Sequence, residues 1–560
     1  MKRFLTVICL LTAIGISCNG WAASHFSIGD LKCENLKSPL AIDNTSPHFS
    51  WKMYSSKNGA STSAYQIIVA SSLKKLNEKN ADLWNSGKVD SDESINIKYD
   101  GKALSSRSQG WWKVRVWDNT GKPSKWREPS SFGVGLLTES DWDAQARFIG
   151  IDQPEKSNNK HIAPLFRKQF SYAPNGQRIL LHVNSLGYHE AYINGEAVSS
   201  AILNPAVIEF SNRSLIVTYD VTDLLKKGEN ELVIWAGIGW YHKGVFGVVE
   251  GGPYVRAQLE RVSSNGSHEV LARTDKSWQA ANSGRYFVGP NWTFGEVIDA
   301  AAMVSDLKPE TLKSLEWQAV IEGNGPALIA SQQMCEPNAF YQTFKPVATF
   351  KIADDCYIYD MGHAFVGFTE INMPVVEKGK SVKIYYEDFY LNKPEDFRDR
   401  EQFADTFIGD GEKEMVFSNK FQYKAYRYLK IKGLNAELEP EAITGRAITT
   451  GYDGDSEFEC SDNDINAIHN MIHKTVKALT LGGYMVDCPH IERLGYGGDG
   501  NGSCRTFQTM YQGAPLYYNW MEMWEDNLRE GGSLPHAVPN PYRTGGGPYW
   551  CSFVILASWQ

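Results

Sequence analysis

The chain has 560 residues, a formal net charge of −9 and 22% charged residues. A typical domain holds about 100 to 200 residues, so the length implies three to five domains, each with its own core. The acidic balance, with no cluster of lysine or arginine, excludes a nucleic-acid partner, which needs a basic face. The 17 Trp and 27 Tyr suit sugar recognition, where flat rings cover the apolar faces of pyranosides and phenol or indole groups hydrogen-bond at the edges; β-sandwich cores also consume aromatics.

Residues 1–22 read as a signal peptide: Lys2 and Arg3 precede an apolar run from Phe4 to Ile16, and Gly20-Trp21-Ala22 offers a small-x-small cleavage site. Export to the periplasm or outer surface follows. Cys18 is the residue that would carry a lipid, but the usual branched aliphatic residue three positions earlier is missing, so a lipoprotein ranks second. No later run reaches the ~18 apolar residues of a membrane span. The cysteines at 33, 335, 356, 460, 488, 504 and 551 are odd in number and widely spaced, which fits neither a disulfide framework nor a zinc site.

Three β units come first. Residues 25–136 carry short alternating strands, "AYQIIVA" and "WWKVRVWDNTGKPSKW" among them, with Trp112, Val114 and Val116 on one face and a polar turn at Asp118 to Gly121: a fibronectin type III-like sandwich. Residues 141–335 read as a jelly-roll-like sandwich, in which Asn194-Gly195 between two alternating runs is a hairpin signal because both residues tolerate positive φ. Trp240, Tyr241 and Trp292 are candidates there for a glycan platform, with packing the commoner role of any one aromatic. Residues 336–455 form a third sandwich, with "CYIYDMGHAFVGFTEINM", "SVKIYYEDFYL" and "YKAYRYLKI" as strands.

From residue 456 the period changes. Ser461-Asp462-Asn463-Asp464 is a helix start of capping-box type, followed by Ile465, Ile468, Ile472, Val476 and Leu479 at helical spacing and stopped by Gly482-Gly483. Pro515 opens another helix with Tyr517, Trp520, Trp524 and Leu528 on one stripe, ended by Gly531-Gly532. Between them lies "DCPHIERLGYGGD", residues 487–499, too rich in glycine for a stable helix and read as a helix-connecting loop.

That stretch holds three carboxylates, Asp487, Glu492 and Asp499. Gly495-x-Gly497-x-x-Gly500 matches a dinucleotide fingerprint, but no apolar strand leads into it and the carboxylates would repel a pyrophosphate. A metal site would use Asp487, Cys488 and His490, yet no second ligand pair follows, so no metal is assigned and nothing demands a cofactor. A purely structural reading has the carboxylates capping backbone N–H groups and pairing with Arg493. Against it stand glycines that let a ligand approach the backbone, and three like charges whose repulsion must raise at least one carboxyl pKa, as a general acid requires.

"DCPHIERLGYGGD" resembles the signature of bacterial α-L-rhamnosidases, glycoside hydrolase family 78, and "GSLPHAVPNPYRTGGGPYW" resembles a second segment of that family. The resemblance implies β-sandwich domains followed by an (α/α)6-barrel catalytic domain. It makes Glu492 the general acid, Asp487 and Asp499 acceptors for rhamnose hydroxyls, and Arg493, Tyr496 and Trp550 further substrate contacts. It implies a rhamnose-containing glycan as partner and an inverting two-carboxylate mechanism. Departures are Ile491 for a common Arg, Tyr496 for Trp, "GGDGN" for Gly-Asp-Ala-Gln, and Cys551-Ser552 after Trp550 for Gly-Asp; they put the exact sugar in question. About a hundred residues are too few for twelve barrel helices of ~11 to 12 residues, so the expectation is a truncated barrel whose general base is absent. The alternatives are a non-catalytic glycan-binding protein and a hydrolase of the same fold for another deoxy or α-L sugar.

Overall fold

The computed structural model describes residues 26–560 apart from 153–159, 247, 249–250, 265, 290–291, 294, 324, 453, 455 and 541–544. The expected leader over residues 1–22, with Cys18, lies outside the described residues. Among those described, no helix is long and apolar enough to cross a membrane.

The first sandwich packs a three-stranded sheet (Phe26–Cys33, His48–Ser55, Ile97–Lys98) on a four-stranded one (Trp84–Asn85, Thr62–Ala70, Gln109–Asp118, Ser130–Gly133). Strand Gln109–Asp118 alternates without a break, and Trp112, Val114 and Val116 are buried on Phe49 and Phe132, as period-two patterning requires. Its turn forms as read: Asp118 Oδ1 accepts from the amides of Thr120 (2.9 Å) and Lys122 (3.0 Å), and Gly121 takes φ +78°.

The next two units share a sheet. Among the described residues a 15-stranded sheet runs from the Tyr188–Ile193 hairpin, turned at Asn194 (φ 53°) and Gly195 (φ 88°), through Gln279–Val288 and Gly295–Asp299. There Gly295–Asp299 pairs in parallel with Asp405–Ile408, and the sheet continues through Ser381–Glu387, Lys424–Lys432 and the 18-residue strand Cys356–Met373. A seven-stranded sheet covers the first half, giving a core of Phe166, Leu181, Val183, Ile234 and Trp278. Trp240, Tyr241 and Trp292 are all buried and serve no surface platform: Trp240 stacks on Trp292 (4.9 Å, 12°) and on Phe246 (5.8 Å, 12°).

The helical part begins with Asn463–Leu479, capped as expected by Asp462, whose carboxylate accepts from Asp464 N (2.9 Å) and Ile465 N (3.1 Å). Of its apolar stripe only Val476 is buried; Ile465, Ile468 and Ile472 are 48, 53 and 38% exposed. Ala514–Asp526 buries Tyr517, Trp520 and Trp524, with Pro515 in its first turn. Leu528 leaves the predicted stripe: the helix ends at Asp526, and Leu528 is exposed in the turn before Gly531 and Gly532, both at positive φ.

A further difference concerns residues 497–499, expected in a loop. The loop closes at Tyr496, and Gly497–Met510 is a helix. Glycine costs roughly 1 kcal/mol against alanine in a helix interior, and packing overrides that here. A Cβ on Gly497 would lie 2.2 Å from the Trp550 carbonyl oxygen, and one on Gly500 would lie 2.5 Å from the Phe553 ring. The glycines let the Pro548–Cys551 and Phe553–Trp559 segments lie directly against this helix's backbone.

Candidate active site

The 487–496 segment is a small ring closed by its own backbone. Asp487 N–H donates to Leu494 O (2.9 Å), Leu494 N–H returns a bond to Asp487 Oδ1 (2.7 Å), and Arg493 N–H donates to Cys488 O (3.1 Å). The Cys488 thiol donates to Asp487 Oδ2 (2.9 Å) and its sulfur accepts from Glu492 N–H (3.4 Å). The ring reverses at Arg493, whose φ of +58° lies in the left-handed region that L-residues avoid. Beyond it, residues 495–497 lie along residues 536–538 through an isolated bridge, with Val538 N donating to Gly495 O (3.0 Å) and Gly497 N to His536 O (2.9 Å).

This folding gathers Asp487, Glu492 and Tyr496. The Tyr496 hydroxyl donates to Glu492 Oε2 (3.0 Å), and one donor atom from each of Asp487, Cys488 and Glu492 lies within 4.8 Å of the others. Burial holds the Asp487 carboxyl above its ordinary range against the hydrogen bonds from Cys488 and Leu494, and the Glu492 charge adds to the rise. Burial and the adjacent Asp487 push the Cys488 thiol up to about 11, so at neutral pH it keeps its proton and acts as a donor. Tyr496 is likewise raised, by burial and then by its bond to Glu492. The trio of Asp487, Cys488 and Glu492 is therefore a hydrogen-bonded set, in which a metal would have to displace the thiol proton. His490, the third ligand weighed from the sequence, turns aside to Asp388 Oδ2 (3.3 Å).

Asp499 and Trp550 lie on two neighbouring helical segments, Gly497–Met510 and Pro548–Cys551. Asp499 is exposed in the first turn of the glycine-rich helix. Trp550 is 39% exposed on the Pro548–Cys551 turn, its ring 5.5 Å from His536 and its indole against Gly498. Ile491 stands exposed at the tip of the ring. Part of the second quoted segment, residues 541–544, lies outside the described residues.

Arg493, read from the sequence as a substrate contact, needs correction. It is 4% exposed; Nε donates to Pro489 O (2.9 Å), one terminal nitrogen to Gln422 Oε1 (2.9 Å), the other to Tyr423 O (2.7 Å), and the guanidinium lies 3.7 Å from the Tyr423 ring centroid. Nor does it pair with the neighbouring carboxylates, as the purely structural reading had it. The guanidinium pins the ring to the third sandwich and offsets the cost of the left-handed backbone. Sequence reasoning also missed Cys488 as a donor to Asp487, and Gln422 and Trp292 as partners of the loop. No local signal marks them, because their contacts join residues far apart in the chain.

Four family models match the chain in succession: the Rha78A-like N-terminal immunoglobulin domain over residues 28–138, the alpha-L-rhamnosidase N-terminal domain over 175–342, the bacterial alpha-L-rhamnosidase concanavalin-like domain over 350–449, and the bacterial alpha-L-rhamnosidase 6 hairpin glycosidase domain over 453–560. An alpha-L-rhamnosidase of Formosa agariphila is 29% identical over 93% of this chain and 58% of its own, and one from Alteromonas sp. is 27% identical over 95% and 59%. The chain thus spans less than two thirds of the length of these relatives. Among solved structures, an alpha-L-rhamnosidase of Dictyoglumus thermophilum superposes with a TM-score of 0.85 at 27% identity, covering 95% of this chain and 61% of that one. The Streptomyces avermitilis alpha-L-rhamnosidase complexed with L-rhamnose shares the fold, with a TM-score of 0.86 at 20% identity over 95% of this chain and 68% of that one. With the loop motif, the order of the four domains and these relatives in agreement, the chain belongs to the bacterial α-L-rhamnosidase family.

Proposed function

We propose that the full protein is an exported glycosidase that removes terminal α-L-rhamnose from a polysaccharide or glycoconjugate, with Glu492 protonating the departing glycosidic oxygen. The observation that carries this reading is the placement of Glu492: its Oε2 is held by the Tyr496 hydroxyl at 3.0 Å, on a ring whose other carboxylate, Asp487, is tied down at both oxygens. A proton donor must be positioned before its acidity matters.

The same geometry divides the carboxylates by role. An inverting hydrolase needs its second carboxyl about 6.5–9.5 Å from the acid to leave room for a water. Asp487 comes within 4.8 Å of Glu492, too close for that water, and both its oxygens are occupied by Leu494 and Cys488, which withdraws it as a nucleophile. Its remaining lone pairs suit a sugar hydroxyl. Asp499, open to solvent in the adjacent helical turn, is a second acceptor, and the exposed Trp550 face supplies the apolar wall that a 6-deoxy sugar needs at its methyl group. Glycan capture by the sandwiches loses its support, because the aromatic trio that would have formed the platform is buried.

Glu492→Gln in the full protein tests the reading. Turnover on a methoxyphenyl α-L-rhamnoside, whose leaving group needs a proton, should fall by a factor on the order of 10² to 10⁴; activity close to the parent on that substrate would remove Glu492 from the mechanism. A panel of aryl glycosides run on the parent protein separates rhamnose from another deoxy or α-L glycone.

A further inference from the structure

Glu492 is held by more than its own loop. Trp292, 200 residues earlier in the chain and in the second sandwich, donates its indole N–H to the Glu492 backbone carbonyl at 2.8 Å. The backbone carbonyl of Trp292 accepts from Gln422 Nε2 (3.0 Å), and Gln422 Oε1 accepts from Arg493 (2.9 Å), the residue next to Glu492. The contacts close a circuit from Trp292 through Glu492, Arg493 and Gln422 back to Trp292. Three parts of the molecule contribute: a loop of the second sandwich, the approach to strand Lys424–Lys432 in the third, and the 487–496 ring.

Every member except Glu492 is at least nine-tenths buried: Trp292 is 4% exposed, Gln422 2% and Arg493 4%. Both ends of the circuit are fixed from behind. Trp292 is clamped by its stack on Trp240. Gln422 sits on a turn whose three successive amides, Lys420 N (3.0 Å), Phe421 N (2.9 Å) and Gln422 N (2.7 Å), all donate to the buried Glu296 carboxylate, which also binds Arg285. In a dry environment each of these bonds is costly to leave unmade. A shift of the Glu492 main chain would break the indole bond and strain the amide circuit together.

We infer that Trp292 and Gln422 are positioning residues for Glu492, and that the second and third sandwiches thereby form part of the catalytic apparatus. The inference rests on Glu492 being the acid. Its mechanistic content is specific. Trp292 fixes the height and azimuth of the Glu492 main chain, while Gln422 holds the Arg493 side of the same peptide. Loss of either leaves the carboxyl present but displaced from the glycosidic oxygen, and a displacement of about 1 Å can cost as much as a factor of ~10².

The test uses the full protein and two aryl α-L-rhamnosides, one with a dinitrophenyl leaving group that departs without protonation and one with a methoxyphenyl group that needs it. Trp292→Phe keeps an aromatic ring against Trp240 and removes the N–H; Gln422→Met removes both polar contacts at similar volume. Each should lower kcat on the methoxyphenyl substrate roughly tenfold or more while changing KM and the dinitrophenyl rate by no more than about twofold. Trp240→Phe thins the stack but leaves every bond of the circuit in place, so it should lower thermal stability without splitting the two substrates. Should Trp292→Phe fail to fold, Gln422→Met carries the same comparison.

A uniform loss on both substrates, or a split as large in Trp240→Phe, would show that Trp292 merely packs and would overturn the inference. Glu492→Gln run alongside separates the two levels. If it splits the substrates and neither circuit variant does, the positioning roles fall and the acid stands; if it leaves both rates at the parent value, the assignment of the acid falls and the inference with it.

Discussion

Asp487 and Leu494 bind each other twice, amide to carbonyl in one direction (2.9 Å) and amide to carboxylate in the other (2.7 Å). The pair is the clasp of the ring that presents Glu492. Asp487→Ala would strand the buried Leu494 amide and should cost about 1–3 kcal/mol in urea denaturation, whereas Asp487→Asn keeps an acceptor and should cost less than about 1 kcal/mol. The sign of the pH dependence follows from the raised folded-state pKa. The native state holds that proton more tightly than the unfolded chain, so the contribution of Asp487 to stability falls as pH rises through the carboxylate range. The Asn variant lacks this decline, and its deficit against the parent should shrink from pH 4 toward neutrality.

The Tyr496 hydroxyl supplies the donor on Glu492 Oε2. Tyr496→Phe should lower kcat of the full protein by roughly tenfold, the worth of one hydrogen bond, with KM changed much less. A rise in KM at unchanged kcat would mean that Tyr496 binds sugar and does not hold the acid.

Two glycines of one helix should answer alanine with opposite signs. Gly502 is exposed and has nothing within 4 Å of an added Cβ, so Gly502→Ala should stabilise by about 1 kcal/mol. Gly500→Ala places its Cβ 2.5 Å from the Phe553 ring and should destabilise by about 1–3 kcal/mol, because overpacking outweighs propensity. Thermal melting of the two variants beside the parent reads the difference directly.

Where the first sandwich, the second and the Ala514–Asp526 helix meet, Arg213 binds Asp526 through two bonds (2.6 and 2.8 Å) and reaches Glu522 at 3.5 Å. Burial lifts Glu522 to about 7, against the pull of Arg213 and aided by Asp43, Asp526 and Glu525; Asp43 rises to about 6, by burial first and with Glu34 adding. A raised folded pKa means that stability is lost as pH climbs from the unfolded value near 4.5 through 7. For Glu522 that is on the order of 3 kcal/mol. Glu522→Gln, a neutral stand-in for the protonated acid, should match the parent near pH 4.5 and exceed it in melting temperature at pH 8. Parallel curves across that range would exclude the effect.

Local chemistry was legible in the sequence wherever neighbours along the chain decide the outcome. Asn194-Gly195 turns its hairpin, Asp462 caps its helix, and Trp112, Val114 and Val116 share a buried face. The motif at 487–499 brought Asp487, Glu492 and Tyr496 to one place. What escaped depends on contact between distant residues. Glycines 497, 498 and 500 lie in a helix because Trp550 and Phe553 come against its backbone, and Arg493 turns inward because Gln422 and Tyr423 wait there. Periodicity found the Ile465, Ile468 and Ile472 stripe without saying what it faces, since a period records a side of a helix and not its neighbour.

The parallel pairing of Val297, Ile298 and Asp299 with Thr406, Phe407 and Ile408 welds two sandwiches along a main-chain seam. Scissors applied there would leave raw strand borders on both pieces, each a template for sticking to other chains. Rigidity travels across that weld as well: Glu296, the residue next to it, donates its amide to Asp405 Oδ1 and grips the turn bearing Gln422 with its carboxylate. Any insertion that springs the weld should loosen, at a distance, the backbone that carries the Glu492 carboxyl.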